Sequence, residues 1–289
     1  MSGPSTPLQV PRLPTAVWVA IGLFAILFGG PAAGLAKQWW TDPDAGAGLL
    51  LAPVALWLMW RGGLAPDRKP IRWLGALGLL VAVAIRYLAT LGAELFTMRM
   101  SMLLAAGSLV VFFLGLTQLR RWWLGISLLA LSVPLPDVIL SALAFPLQFK
   151  ASEMGAALLR WRQIPVSLDG NIIVLPGHRL FVTEACSGLR SLSALVSLGL
   201  LSAGLWLRLP AFRTALLIIT LPIAIIINGV RVFLTGFLVF FVDPKLGEGF
   251  MHLTEGWLMF VVAFGLVGLT TWALGGLERL WERRVAADV

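Results

Sequence analysis

The sequence predicts an all-α polytopic membrane protein of about eight transmembrane helices, with a small extracytoplasmic helix-plus-β-hairpin insert before the sixth span. Three observations lead there. Hydrophobic residues make up 59% of the 289 positions and charged residues 12%, with a mean hydropathy of +0.91; soluble domains hold about 45–50% apolar residues. Apolar runs long enough to cross about 30 Å of hydrocarbon recur along the chain. The cations gather in the short connections between those runs. A net charge of +8 and an isoelectric point near 11.0 would suggest nucleic acid in a soluble protein. Placed in short loops, the same charge is a topology signal, and the expected partner is the lipid bilayer with no nucleic acid.

The first 14 residues, four of them proline, read as a flexible cytoplasmic tail. No pattern of basic, apolar and small residues ending in a cleavage site opens the chain, so the first apolar run is expected to remain as an anchor. Residues 15–277 form one transmembrane domain and residues 278–289 a cytoplasmic tail. Spans are expected near residues 15–36, 45–60, 73–91, 101–118, 122–136, 188–207, 213–236 and 252–275. The second and fifth are short.

With the N-terminus inside, Arg61, Arg68, Lys69, Arg72, Arg120, Arg121, Arg208, Arg213, Arg279, Arg283 and Arg284 fall on the cytoplasmic side. The other side carries Asp42, Asp44, Glu94, Asp243 and Glu248. This asymmetry puts both termini in the cytoplasm and the long connection 137–187 outside. Within it, the stretch from Val138 to Trp161 reads as an apolar, then amphipathic helix lying along the interface, with Lys150 and Arg160 reaching to water or headgroups. Asp169-Gly170 between β-branched runs signals a hairpin, and Pro176 to Glu184 supplies a second turn and a short strand. No internal repeat or glycine-rich phosphate loop is evident.

The chain's single cysteine, Cys186, excludes an intrachain disulfide and a cysteine-based metal cluster. No metal or cofactor is expected. Cys186 falls in the first turn of the sixth span with Thr183 as N-cap, where unpaired amides and the helix dipole favour a thiolate. Arg190 follows one turn later on the same face. In the seventh span Arg231 lies about eighteen residues above Arg213, roughly 27 Å up and near the outer edge of the hydrocarbon. Asn228 is one turn below it. A cation in a span is a functional candidate by default, and Arg86 in the third span is another. His252 and Glu255, at i and i+3, open the eighth span, and histidine is suited to proton transfer near neutral pH. His178 reads as a turn residue.

The topology thus brings Cys186, Arg231 and His252 to one depth on successive helices. A thiol nucleophile, a cationic oxyanion stabiliser and a proton-transfer group are the parts needed for acyl transfer through a thioester. The plain alternative for each is a structural thiol, a headgroup anchor and a solvated interfacial histidine.

The strings Glu184-Ala-Cys186-Ser187-Gly-Leu-Arg190 and Asn228-Gly-Val-Arg231, followed by His252, resemble the exosortase/archaeosortase family of polytopic membrane cysteine transpeptidases. The resemblance runs from about Pro134 to Trp272. It implies Cys186 as nucleophile, Arg231 as cationic partner and His252 as third catalytic residue, with Arg190, Asn228, Ser187, Glu184 and Glu255 binding substrate or supporting the site. It further implies a bacterial cytoplasmic (inner) membrane location with the active site facing the exterior. The implied partners are exported proteins bearing a C-terminal sorting signal: a short Pro-Glu-Pro-like motif, a transmembrane helix and a basic tail. The acceptor and the oligomeric state are left open. Arg190 is the alternative oxyanion donor, or it binds the motif's glutamate by a bidentate contact. The competing class is a transporter or assembly protein with a polar path around Arg231, which predicts paired discontinuous helices and a repeat.

Overall fold

The computed structural model describes residues 14–42, 45–182, 189–243 and 249–287. In order they form α1 (Thr15–Thr41), α2 (Gly48–Gly62), α3 (Arg72–Leu91), α4 (Leu95–Phe113), α5 (Leu116–Arg121), α6 (Trp123–Leu131), α7 (Asp137–Trp161), β1 (Ser167–Asp169), β2 (Ile172–Leu175), β3 (His178–Phe181), α8 (Leu189–Trp206), α9 (Pro210–Phe241) and α10 (Gly249–Ala287). Among the described residues, α1, α3, α4, α9 and the stretch of α10 from Leu258 to Ala286 are long and apolar enough to cross a membrane, and α2 and the Leu192–Trp206 part of α8 are shorter apolar helices. Large apolar side chains such as Ile26, Trp60, Leu80 and Leu269 face outward, as expected where the solvent is hydrocarbon. The chain is an all-α membrane protein with one small sheet.

Two helix boundaries differ from the expected spans. The fourth begins at Leu95 because Glu94 caps it: its carboxylate accepts from the amides of Phe96 at 3.0 Å and Thr97 at 2.6 Å. That cap draws Arg99 into the helix. The run 122–136 is helical for only nine residues, α6, about 14 Å at 1.5 Å per residue. Two prolines, Pro134 and Pro136, follow it and oppose continuation.

The described residues group into two units. In the first, α3 and α4 pack along small residues. A Cβ on Gly75 would stand 2.5 Å from Phe112 Cβ, and one on Gly78 would run into Ser108 Oγ. Such close approach is how apolar helices gain packing where lipid removes the hydrophobic drive. The Ser108 hydroxyl donates to the Leu104 carbonyl, so no polar group is stranded in the contact. Phe28 of α1 closes this core against Ala82 and Ala105. Gln118 of α5, fully buried, accepts from the Ala65 amide and donates to the Gly63 carbonyl, which ties the α2–α3 connection to α5.

In the second unit α9 is the central helix, flanked by α7, α8 and α10. Against α7 the spacing is again that of small residues: a Cβ on Gly155 would meet Val232 Cγ1 at 2.6 Å, one on Gly229 Met154 Cβ at 2.8 Å, and one on Gly236 Leu159 Cδ1 at 2.9 Å. The matched order of these pairs shows that α7 and α9 run parallel. The sheet is antiparallel in the order β1-β2-β3, with Asp169 opposite Ile172 and Leu175 opposite His178. Pro176-Gly177 makes the second turn, Gly177 taking the φ of 79° that its position demands. Alternation on β2 buries Ile173 and Leu175 against Leu159 of α7 and Val232 and Val239 of α9.

At the opposite end of this unit, Glu278 of α10 is buried and accepts from the amides of Arg208 and Leu209, which lead into α9. Arg213 donates to the Leu207 carbonyl and stands 5.0 Å from the ring of Trp123 at the start of α6.

Candidate active site

The candidate residues fall on α8, α9 and α10 and in the segment between β3 and α8. Cys186, Glu184 and Ser187 lie outside the described residues. Arg190 sits on α8, and His252 and Glu255 on α10, as helical positions whose side chains are likewise outside the described set. Arg231 and Asn228 are described in full.

On the way to Cys186 the chain is anchored at Val182. Val182 is buried; its amide donates to the Asn171 carbonyl, and the Asn171 side chain donates back to the Val182 carbonyl, both at 3.0 Å. The sheet therefore delivers residue 182 onto the far half of α9, beside Val232 and Val239.

Beneath that point α8, α9 and α10 share an apolar core of Leu195, Ala224, Ala263 and Val267. A narrow cleft above it is lined by Leu195 of α8, Asn228 and Arg231 of α9, and Met259 and Ala263 of α10. Asn228 is 7% exposed and Arg231 is half-buried. Both are engaged by neighbours, and the Thr235 hydroxyl donates to the Arg231 carbonyl. A guanidinium held among apolar side chains acts in a low dielectric, where its field on a developing oxyanion is strongest.

Helical spacing relates the remaining positions to this cleft. His252 precedes Met259 by seven residues and Ala263 by eleven, so it falls within about 20° of their stripe on α10. Arg190 precedes Leu195 by five residues, about 140° around α8. The histidine position thus shares the arginine cleft's face, and the Arg190 position does not share Leu195's.

Charged residues missed by the sequence reading lie elsewhere. Arg99 of α4 is 5% exposed and donates from Nη1 to Gln38 Oε1 of α1 at 2.7 Å, while Gln38 donates to Asp42 at 3.2 Å. The Thr97 hydroxyl and the amides of Thr97 and Phe96 hold the Glu94 carboxyl below its ordinary value of 4.5, with Arg99 adding to the effect. The available signal was a Glu three residues before a Thr at the head of an apolar run. Arg86, the third-span cation that the sequence does single out, lies 5.5 Å over the Phe28 ring, and its buried Nε has no hydrogen-bond partner.

A protein-family model described as transmembrane exosortase matches residues 39–269. No curated protein and no solved structure matches the chain.

Proposed function

The chain belongs to the transmembrane exosortase family, a family of sorting-related membrane enzymes, and from that premise we propose that it is a cysteine transpeptidase or endopeptidase acting on C-terminal sorting signals of exported proteins. The substrate class is a short Pro-Glu-Pro-like motif, a transmembrane helix and a basic tail. The observation that carries the reading is the cleft in which Arg231 and Asn228 face α8 and α10 on the His252 stripe.

In the proposed reaction the Cys186 thiolate attacks the peptide carbonyl carbon near the motif. A C–S bond forms, and the carbonyl electron pair moves to oxygen, where Arg231 stabilises it. Collapse of this intermediate breaks the C–N bond, and His252 protonates the departing amine, leaving a thioester. The acceptor, an amine or water, gives its proton to His252 and attacks the thioester, and Cys186 departs as thiolate. Cys186 is three residues before Leu189, so chain reach keeps it within about 10 Å of the head of α8. Ser187, Glu184 and Glu255 stand close enough in the chain to support the nucleophile and the histidine.

The proposed setting is a bacterial inner membrane, both termini cytoplasmic, with the sheet Ser167–Phe181 and the catalytic group on the outer side. About eight crossings follow if α2 and α8 span and if α6 and α7 together make one passage. That passage is supported by its two ends: Trp123 lies at Arg213 near the start of α9, and Leu159 lies at Gly236 near its end.

The deciding experiment is Cys186→Ala in cells that carry a tagged sorting-signal substrate. Uncleaved precursor should accumulate while the variant stays in the membrane at normal abundance. Processing at the wild-type rate would remove the cysteine mechanism.

A further inference from the structure

Among the described residues Glu278 of α10 is the one buried carboxylate, at 4% exposure, and the reaction proposed above does not use it. Its Oε1 accepts the amide of Arg208 at 2.9 Å and the amide of Leu209. Both amides depend on it. Leu209 is the N-cap of α9 and has no side-chain cap, and the helix starts at Pro210, which has no N–H to share the role. The head of α9 is therefore capped from another helix, by a carboxylate at the end of the helix dipole that favours negative charge.

Two helices leave this joint for the candidate site. Along α9, Arg231 lies about 22 residues beyond Leu209, roughly 33 Å. Along α10, Met259 lies about 19 residues before Glu278, roughly 28 Å, and lines the Arg231 cleft. Between joint and cleft the helices meet through Ala224, Ala263 and Val267 with Leu195 of α8, and through Leu216 and Leu274 with Leu207. Small and aliphatic contacts hold helices together in lipid but discriminate weakly between neighbouring registers; a buried polar group is the device that fixes one. A slip of α10 by one residue would turn its stripe by about 100° and move it about 1.5 Å along α9. Met259, Ala263 and the His252 position would leave the Arg231 cleft together.

We infer that Glu278 is a positioning residue: its bonds to the Arg208 and Leu209 amides set the register of α10 on α9, and with it the alignment of the His252 position with Arg231. The catalytic half of this inference rests on the site reading given above; the register half does not.

The test reads register apart from activity, by oxidative cross-linking of the full-length protein in its membrane with Cys186→Ser as background. The pair Ala224→Cys and Ala263→Cys, from one shared core, should form a disulfide. Pairs of Ala224→Cys with Val262→Cys or Phe264→Cys should not. Adding Glu278→Ala should weaken the first pair and bring up one of the shifted pairs. Glu278→Gln, whose amide oxygen still accepts, should keep the original pattern, as should Glu282→Ala, one turn on and lining the same cavity. An unchanged pattern in Glu278→Ala would overturn the inference. Where Glu278→Ala does not accumulate, Glu278→Asp withdraws the acceptor by one methylene and the same shift is expected of it. With Cys186 intact, Glu278→Ala should lower kcat for processing by about 10–10²-fold with little change in KM, and Glu278→Gln should restore it. A shifted pattern with undiminished kcat would sever the register from catalysis. Normal processing by Cys186→Ala would instead sink the cysteine mechanism and leave the cross-linking result standing.

Discussion

Asn228 and Arg231 stand one helical turn apart on α9 and line the same cleft against Leu195 of α8 and Ala263 of α10. This places a fixed cation on a rigid element instead of on a loop, the arrangement that electrostatic stabilisation of an oxyanion requires. Arg231→Ala is expected to lower kcat/KM for sorting-signal processing by about 10²–10³-fold. Arg231→Lys should recover only part of it, because an ammonium keeps the charge and loses the planar fork. Steady-state kinetics in detergent or nanodiscs measure both; a wild-type rate in Arg231→Ala would dismiss the oxyanion role.

Arg190 and Arg231 are expected to separate kinetically. The position of Arg190 is about 140° around α8 from Leu195, and we propose it for substrate binding with Arg231 on the oxyanion. Arg190→Ala should raise KM with a smaller change in kcat, and Arg231→Ala the reverse. The opposite split would exchange the two roles.

The close pairing of α7 with α9 predicts opposite signs for two glycine-to-alanine changes. At Gly155 the new methyl meets Val232 Cγ1 at 2.6 Å and the backbone nitrogen of Phe233 at 3.3 Å, so neither neighbour can swing away. Gly155→Ala should destabilise by about 1–3 kcal/mol. Gly265 of α10 has nothing within 4 Å, and Gly265→Ala should gain up to about 1 kcal/mol of helix propensity. Melting temperatures of the two variants in one detergent test the contrast.

Glu94 supplies a pH-dependent term. Its folded-state carboxyl titrates below the ordinary 4.5 because Thr97 and the first amides of α4 bond the ionised form. A depressed value means that the stabilisation is fully present above pH 4.5 and is lost as pH falls through the folded value. Wild type should therefore exceed Glu94→Gln by about 0.3–1 kcal/mol at neutral pH, with the gap closing in acid. A gap that stays constant down to pH 3 would rule out the ionised cap.

Helical content and the longest apolar helices were legible because hydropathy is a local sum over about 20 residues. Gly170 and Pro176-Gly177 were readable for a similar reason, since turn geometry depends on the residues in the turn. The start of α4 was not, because an acidic N-cap at Glu94 looks like any loop carboxylate until the helix exists, and Arg99 was hidden with it. The end of α6 turned on Pro134 and Pro136 outweighing an apolar run. Of the candidate site, the cation and amide of α9 were legible as polar residues out of place in a span. Their cleft was not, because it depends on which stripes of α8 and α10 meet them.

The paired hydrogen bonds between Asn171 and Val182 also set where the chain can change length over evolutionary time. Extra residues at the Gly170-Asn171 or Pro176-Gly177 tips bulge outward and leave Val182 where it is. A residue inserted between Val182 and Leu189 lengthens the segment that carries the thiol. Drift in this family should therefore concentrate insertions and deletions at the two hairpin tips.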